Sequence, residues 1–267
     1  MIKQDSDKKI NIVHIISGDL WAGAEVQAYS IIKRFSQLPP INIQVILFNE
    51  GILSTKLCDD GIRMYICPES QRSILSMIYD CWNIMKASRI DIVHTHGYKE
   101  NLIGGIAAKL CDVKSVVRTH HGIGMLHAGW RYNVVERINA VLLTRAMISV
   151  SHDLKKELVH FGFRPENIYV IHNGTEQVKP LTPDKILCFK KEEGFDRNDI
   201  IIGTVGRLVS IKGHRDLING AKIIIERNKT VKFVIVGEGP LSSELKSYVK
   251  ELGIEANIRF MGFRKDV

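Results

Sequence analysis

The chain reads as an α/β protein built on parallel sheets, and three observations say so. Apolar runs of strand length alternate with segments whose apolar residues recur at helical spacing. Glycine-bearing turns follow several of the strands. The alternation is punctuated once, at Lys179-Pro180-Leu181-Thr182-Pro183, and then starts again. Two closely spaced prolines favour a linker, which divides the chain into residues 1–180 and 181–267. Strand–helix–strand repetition on this scale means crossover units, with a parallel sheet covered on both faces.

The elements follow in order. Residues 10–16 form an apolar strand, after which Ala28, Ile31, Ile32, Phe35 and Leu38 mark one helix face. Residues 43–48 and 63–66 are strands, and Ile74, Leu75, Ile78, Cys81, Trp82 and Met85 mark the next helix. Residues 90–94 read as a buried strand, and Leu102, Ile103, Ile106, Ala107 and Leu110 as the helix behind it. Strands at 116–119, 148–150 and 168–171 complete the first series, with helices at 134–142 and 154–161 between them. Beyond the prolines come strands at 200–205, 231–236 and 258–261. Their two helix faces are Leu217, Ile218, Ala221, Ile224, Ile225 and Leu245, Tyr248, Val249, Leu252. Three parallel strands bury little, so this second unit looks unfinished.

Composition narrows the function classes. With 45% hydrophobic and 25% charged residues the chain matches an ordinary globular protein. Its charged start is unlike a signal peptide, and no stretch approaches the roughly 20 apolar residues that span a bilayer. Five scattered cysteines without a C-x-x-C pair read as reduced thiols of a cytosolic protein. The net charge of +8 is dispersed, which reads as a solvated basic surface; the sharper alternative is attraction to anionic ligands or to an anionic membrane face. No basic run with interleaved aromatics points to nucleic acid.

Candidate chemistry sits at the carboxyl ends of strands, where open α/β sheets bind ligands. The strongest segment is Gly206-Arg207-Leu208-Val209-Ser210-Ile211-Lys212-Gly213-His214, a glycine turn with two cations just before a helix. Cations there stand against the helix dipole, so Arg207 and Lys212 ask for an anion such as a diphosphate. Gly23 would let the backbone approach a ligand, and Glu25 falls in the first helical turn, where an acidic residue is favourable in its own right. His94, His96, His120 and His121 lack a nearby carboxylate or cysteine. They are read as packed side chains, one of which reaches a polar substrate, rather than as zinc ligands. Asn173-Gly174 reads as a turn as readily as a site, and Gly237-Glu238-Gly239-Pro240 is a second glycine turn that is not a dinucleotide fingerprint.

In this order the motifs resemble the group 1, or family 4, retaining glycosyltransferases of GT-B architecture: Gly-Ala-Glu at 23–25, His-x-His-Gly at 94–97, Thr-His-His-Gly at 119–122, Ser149-Val150-Ser151, Asn173-Gly174, Gly-Arg-Leu and Lys-Gly within 206–213, Gly-Glu-Gly-Pro at 237–240 and Phe260-Met261-Gly262-Phe263. The resemblance implies a complete N-terminal Rossmann-like domain on the acceptor side and an incomplete C-terminal Rossmann-like domain that binds the nucleotide. The activity it implies is transfer of a sugar from a UDP- or GDP-sugar, with retention, to a glycan or lipid-linked acceptor of the cell surface. It matches Arg207 and Lys212 to neutralisation of the departing diphosphate without Mg²⁺ or another cofactor, Gly23 to the loop near the phosphates, and His121 to the donor sugar. The glycine turn at Gly239 and the main chain around Phe263 and Arg264 match the nucleotide-binding side.

The family pattern continues with two glutamates seven residues apart and a further helix, none of which follows Lys265-Asp266-Val267. The expectation is therefore a truncated chain, weakly active or inactive alone unless a separate polypeptide supplies the missing half-domain. Rival readings are a non-catalytic nucleotide-sugar-binding remnant and a sugar-nucleotide 2-epimerase. Trp130-Arg131-Tyr132 opens a Val- and Leu-rich segment read first as an ordinary helix packed on the sheet. Its alternative is peripheral docking on the inner face of a membrane.

Overall fold

The computed structural model describes residues 9–122, 129–175 and 180–264, without the Arg131 side chain. The expectations attached to Lys179, Lys265, Asp266 and Val267 lie outside the described residues. The chain divides into two compact units, Met1–Glu176 and Gln177–Val267, each with its own parallel sheet.

In the first unit β1 (Ile10–Ile16), β2 (Ile41–Leu47), β3 (Met64–Ile66), β4 (Ile92–Thr95), β5 (Ser115–His120), β6 (Ala146–Ser149) and β7 (Ile168–Val170) form a seven-stranded sheet. Its order is β3-β2-β1-β4-β5-β6-β7, and every pairing is parallel. The helices between them are α1 (Gly23–Ser36), α2 (Ile52–Asp59), α3 (Ile74–Ser88), α4 (Tyr98–Leu110), α5 (Trp130–Ile138) and α6 (His152–His160). Helix α5 runs on into a π-turn at Asn139–Leu143.

Alternation along the strands sends one set of side chains to each face. Val13, Ile15, Ile46, Phe48 and Val93 meet Met77, Cys81, Met85 and Ile103 of α3 and α4 in one core. Ile16, Ile43, Val45 and Leu47 meet Ala28 and Ile32 of α1 and Leu53 and Leu57 of α2 in the other.

The second unit holds α7 (Pro183–Glu192), β8 (Ile200–Val205), α8 (His214–Arg227), β9 (Val231–Val236), α9 (Ser242–Glu251) and β10 (Ile258–Gly262). Its sheet order is β10-β9-β8. The core gathers Ile218, Ala221 and Ile225 of α8, Phe233 and Ile235 of β9, and Leu245 and Val249 of α9. The edge strand β8 leaves Ile200, Ile202 and Val205 exposed.

Several local expectations are corrected. Helix α2 was not anticipated, because its eight residues carry too short an apolar pattern to show periodicity. Pro183, read as part of a linker, opens α7 instead: proline at the first helical position loses no hydrogen bond, and its fixed φ suits the helix. Leu38, Ile74, Leu75 and Leu110, expected on buried faces, are exposed. Leu38 lies beyond the end of α1, and Ile74 and Leu75 occupy the first turn of α3.

Candidate functional site

The switch point of the first sheet lies between β1 and β4, whose following helices leave in opposite directions along the strand order. Parallel pairing sets His14 of β1 opposite His94 of β4. The loop after β4 then brings His96 beside both, with ring centroids 5.4 Å from His14 and 4.5 Å from His94. His121, just beyond β5, continues the stack 5.5 Å from His96. The four rings form a connected cluster: His14 Nδ1 lies 3.0 Å from His96 Nε2, His96 Nδ1 lies 3.2 Å from His121 Nε2, and His94 Nε2 meets Thr119 Oγ1 at 2.8 Å.

Such a chain requires neutral imidazoles, each of which donates on one side and accepts on the other. Burial supplies that state. It holds His14 and His96 well below the ordinary imidazole range, and pushes His94, His120 and His121 down to about 4. Neighbouring histidines and Arg118 add to the effect by repelling a further positive charge. His14 Nε2 and His121 Nδ1, the two ends of the chain, have no hydrogen-bond partner among the described residues.

His14 had not been singled out in the sequence, because it hides in an otherwise apolar strand; a lone histidine within Ile-Asn-Ile-Val-His-Ile-Ile was the available signal. One nitrogen each from His14, His94 and His96 lies within 4.8 Å of the others, so these three could also hold a metal ion. Three neutral imidazoles suit a first-row divalent cation, at the expense of the His14–His96 hydrogen bond.

Beneath this cluster Arg118 of β5 and Glu136 of α5 form a two-pronged, fully buried ion pair, with Arg118 Nη2 2.8 Å from Glu136 Oε1. Burial alone would raise the Glu136 carboxyl, but the Arg118 bonds win and hold it below its usual value. The pair ties α5 to the strand that carries His120 and leads to His121. Glu136 gave no sign of this role in the sequence.

The two helices that leave the switch point start alike. Glu25 turns back to accept from the Ala22 amide at 3.2 Å, and Glu100 folds its carboxylate over Gly97 at the start of α4. Burial raises both carboxyls. Glu25, a candidate ligand residue, is thus occupied by capping its own helix. A Cβ on Gly23 would meet nothing within 4 Å, so packing does not demand glycine there. Two other motifs resolve into local structure. Ser151 caps α6 by accepting from the Leu154 amide, and His172 bonds the Val150 carbonyl, which makes the 170–174 segment a latched turn.

In the second unit Gly206 follows β8, and Ser210–Lys212 form a single 3-10 turn. Gly213, in the left-handed region, then starts α8. His214, buried at the helix start, bonds the Arg207 carbonyl at 3.1 Å and latches the loop. Arg207 and Lys212 are both exposed, with no ion-pair partner among the described residues. A Cβ on Gly206 would come within 3.9 Å of the Lys212 stem, so that side chain lies along the glycine turn. Two solvated cations around a glycine turn are chemically suited to an anion.

The turn after β9 packs backbone to backbone on this loop. Leu208 donates to Glu238 O at 2.9 Å and Leu241 donates to Leu208 O at 3.1 Å. Gly237 sits at φ +134, where a Cβ would lie 2.0 Å from Gly206 O, and a Cβ on Gly239 would lie 2.5 Å from Leu208 O. Gly239 is therefore demanded by packing, whatever it contacts in a ligand. It also lines a cleft of about 280 Å³ with Glu238, Ser242, Lys246, Phe260 and Gly262. The Phe263 amide faces Glu238 Oε1 at 3.4 Å, and the Arg264 guanidinium bonds Glu193 Oε1 at 3.0 Å. The Arg264 side chain is thus tied into the unit itself.

Two parallel α/β units of this kind, with glycine turns at the strand ends, have the GT-B architecture. Family models agree: "Glycosyltransferase Family 4" matches residues 21–177 and "Glycosyl transferases group 1" matches residues 188–267. The chain belongs to this glycosyltransferase family. It is 30% identical to an Escherichia coli enzyme named UDP-Gal:alpha-D-GlcNAc-diphosphoundecaprenol alpha-1,3-galactosyltransferase, over 99% of this chain and 71% of that one. It is 25% identical to the Staphylococcus aureus capsular polysaccharide biosynthesis glycosyltransferase CapM, spanning 86% of this chain and 55% of CapM. HepE of Anabaena, solved in complex with UDP and glucose, superposes with a TM-score of 0.83 at 21% identity, over 96% of this chain and 70% of HepE. A UDP-N-acetylglucosamine 2-epimerase superposes less closely, at 0.62 and 13% identity, over 97% of this chain and 69% of that one.

Proposed function

We propose that this chain binds a UDP-sugar and serves its retaining transfer to a lipid-linked glycan acceptor in cell-surface polysaccharide or glycolipid synthesis. The observation that carries the reading is the Gly206–Gly213 loop. It holds Arg207 and Lys212 solvated, unpaired among the described residues, and latched by His214 at the start of α8. Breaking the glycosyl bond places negative charge on the departing diphosphate, and two fixed cations stabilise that charge without a metal ion. The cleft beside Gly239 suits the nucleoside end, and His121 suits the donor sugar, where a neutral imidazole can meet a hydroxyl. The galactosyltransferase relative supports both a UDP-linked donor and a diphospholipid acceptor.

The test is UDP binding measured by calorimetry on the purified chain, with and without EDTA. Binding should survive EDTA. Arg207→Gln and Lys212→Gln should each weaken it by about tenfold to a hundredfold, the usual worth of a charge-assisted hydrogen bond. GDP should bind more weakly than UDP. No UDP binding by the wild type, or binding indifferent to both substitutions, would overturn the reading.

A further inference from the structure

We propose that His14, His94 and His96 form a binding site for a first-row divalent transition metal, Zn²⁺ foremost. The three rings meet at the switch point of the first sheet: His14 on β1, His94 on β4 and His96 on the loop that follows β4. One ring nitrogen of each lies within 4.8 Å of the others. Hydrogen bonds around the trio select the ligand atoms. His94 Nε2 is engaged by Thr119 Oγ1 at 2.8 Å and His96 Nδ1 by His121 Nε2 at 3.2 Å, which leaves His94 Nδ1 and His96 Nε2 for an ion. His14 Nδ1 stands 3.0 Å from that same His96 Nε2. Two nitrogens each about 2.0–2.1 Å from a tetrahedral zinc lie about 3.3–3.4 Å apart, so this pair need open by only a few tenths of an ångström. A metal-bound imidazole ordinarily donates its other N–H to a fixed acceptor, and Thr119 and His121 already hold that place for two of the three.

Two further observations favour an ion over a core held by hydrogen bonds. His14 is fully buried, yet its Nε2 has no hydrogen-bond partner. A histidine kept inside a protein for hydrogen bonding alone has both nitrogens engaged. His14 and His94 also line a cavity of about 370 Å³, which has room for a water as the fourth ligand. The donor set then chooses the metal. Three imidazoles without a carboxylate suit Zn²⁺, whereas Mg²⁺ and Ca²⁺ require oxygen ligands. Burial favours the neutral imidazole that ligation needs, and the charge of Arg118 on the adjacent strand is answered by Glu136. Along the chain the strand-end histidines lacked a companion ligand, and the pairing of β1 with β4 supplies it. The site lies within the first unit and does not rest on the donor reading, which belongs to Arg207 and Lys212 of the second.

The test uses the purified, metal-stripped chain. Titration of Zn²⁺ against a chromophoric chelator should give one ion per chain, with a Kd of about 1 μM or below. Co²⁺ in its place should show the visible absorption of a tetrahedral site. X-ray absorption on the zinc form should find imidazole nitrogens at about 2.0–2.1 Å and no sulfur. His14→Gln and His96→Gln should each weaken binding at least about a hundredfold. Thr119→Val leaves all three ligands in place and should weaken it about tenfold, the usual worth of an outer hydrogen-bond partner. Exposed groups supply the control: His152→Gln and Cys58→Ser/Cys188→Ser should leave the affinity unchanged. Circular dichroism without metal checks that each variant folds. If a ligand variant does not, Thr119→Val and the X-ray absorption of the wild type decide. A Kd above about 1 mM, a sulfur ligand, loss of binding in the cysteine variant, or indifference to both His14→Gln and Thr119→Val would overturn the proposal.

Discussion

Acidification from pH 7.5 to 5 should destabilise the first unit through its buried histidines. His94 and His120 are buried, and burial lowers each to about 4 from an unfolded value of 6.5. Below pH 6.5 the unfolded chain binds protons that the native cluster refuses, so stability falls as pH falls. At pH 5 an unfolded imidazole is almost wholly charged and a native one almost wholly neutral. That difference is worth about 2 kcal/mol per histidine, or about 4 kcal/mol for this pair. His14, His96 and His121 are shifted in the same direction and add to it. Glu25 and Glu100 act with the opposite sign, since burial raises their carboxyls and acid relieves them. Against a typical total of about 5–15 kcal/mol the loss is large. Urea unfolding followed by circular dichroism across this range should show it, and His94→Leu should flatten the slope by about 2 kcal/mol. A change below about 1 kcal/mol between pH 7.5 and 5 would refute the neutral-cluster reasoning.

Two further predictions concern packing. Glu136→Gln should cost about 3–5 kcal/mol by stranding the Arg118 charge, a drop of roughly 6–20 °C in Tm for a unit of this size, whereas Arg118→Met/Glu136→Leu should recover much of it. Gly239→Ala should cost about 1–3 kcal/mol in nucleotide-free protein, because its Cβ would strike the Leu208 backbone. Gly23→Ala meets open space and should leave stability within about 0.5 kcal/mol, so weaker substrate binding in that variant would mark the glycine as a site of ligand approach.

Local pattern made the strands and longer helices legible. Every strand of both sheets left a run of apolar residues, and the amphipathic faces of α1, α3, α4, α8 and α9 showed at 3.6-residue spacing. Shorter elements did not show. Helix α2 offers two turns, and α7 buries no residue at all, so neither had a periodic apolar face to read. The Arg207 and Lys212 segment was readable because its glycine turn and cations are contiguous along the chain.

The histidine cluster was only partly readable, for a different reason. His94, His96 and His121 announced themselves at strand ends, but His14 joins them solely because β1 pairs with β4, across 80 residues of chain (94 − 14). Similarly, Glu25 and Glu100 look like free acids in a list of residues, and the folded helix starts are what bend them onto their own amides. Glycines 237 and 239 look like a ligand loop until the neighbouring turn is seen packed against them. The amino-acid sequence by itself determined the fold class and the family, and it pointed to the proposed diphosphate site, because periodicity and contiguous motifs are local properties of the chain. Tertiary structure alone decided which histidines share protons, which carboxylates are already engaged, and which side of α5 faces outward. Each of those depends on strand order and burial, which bring distant residues together and take water away.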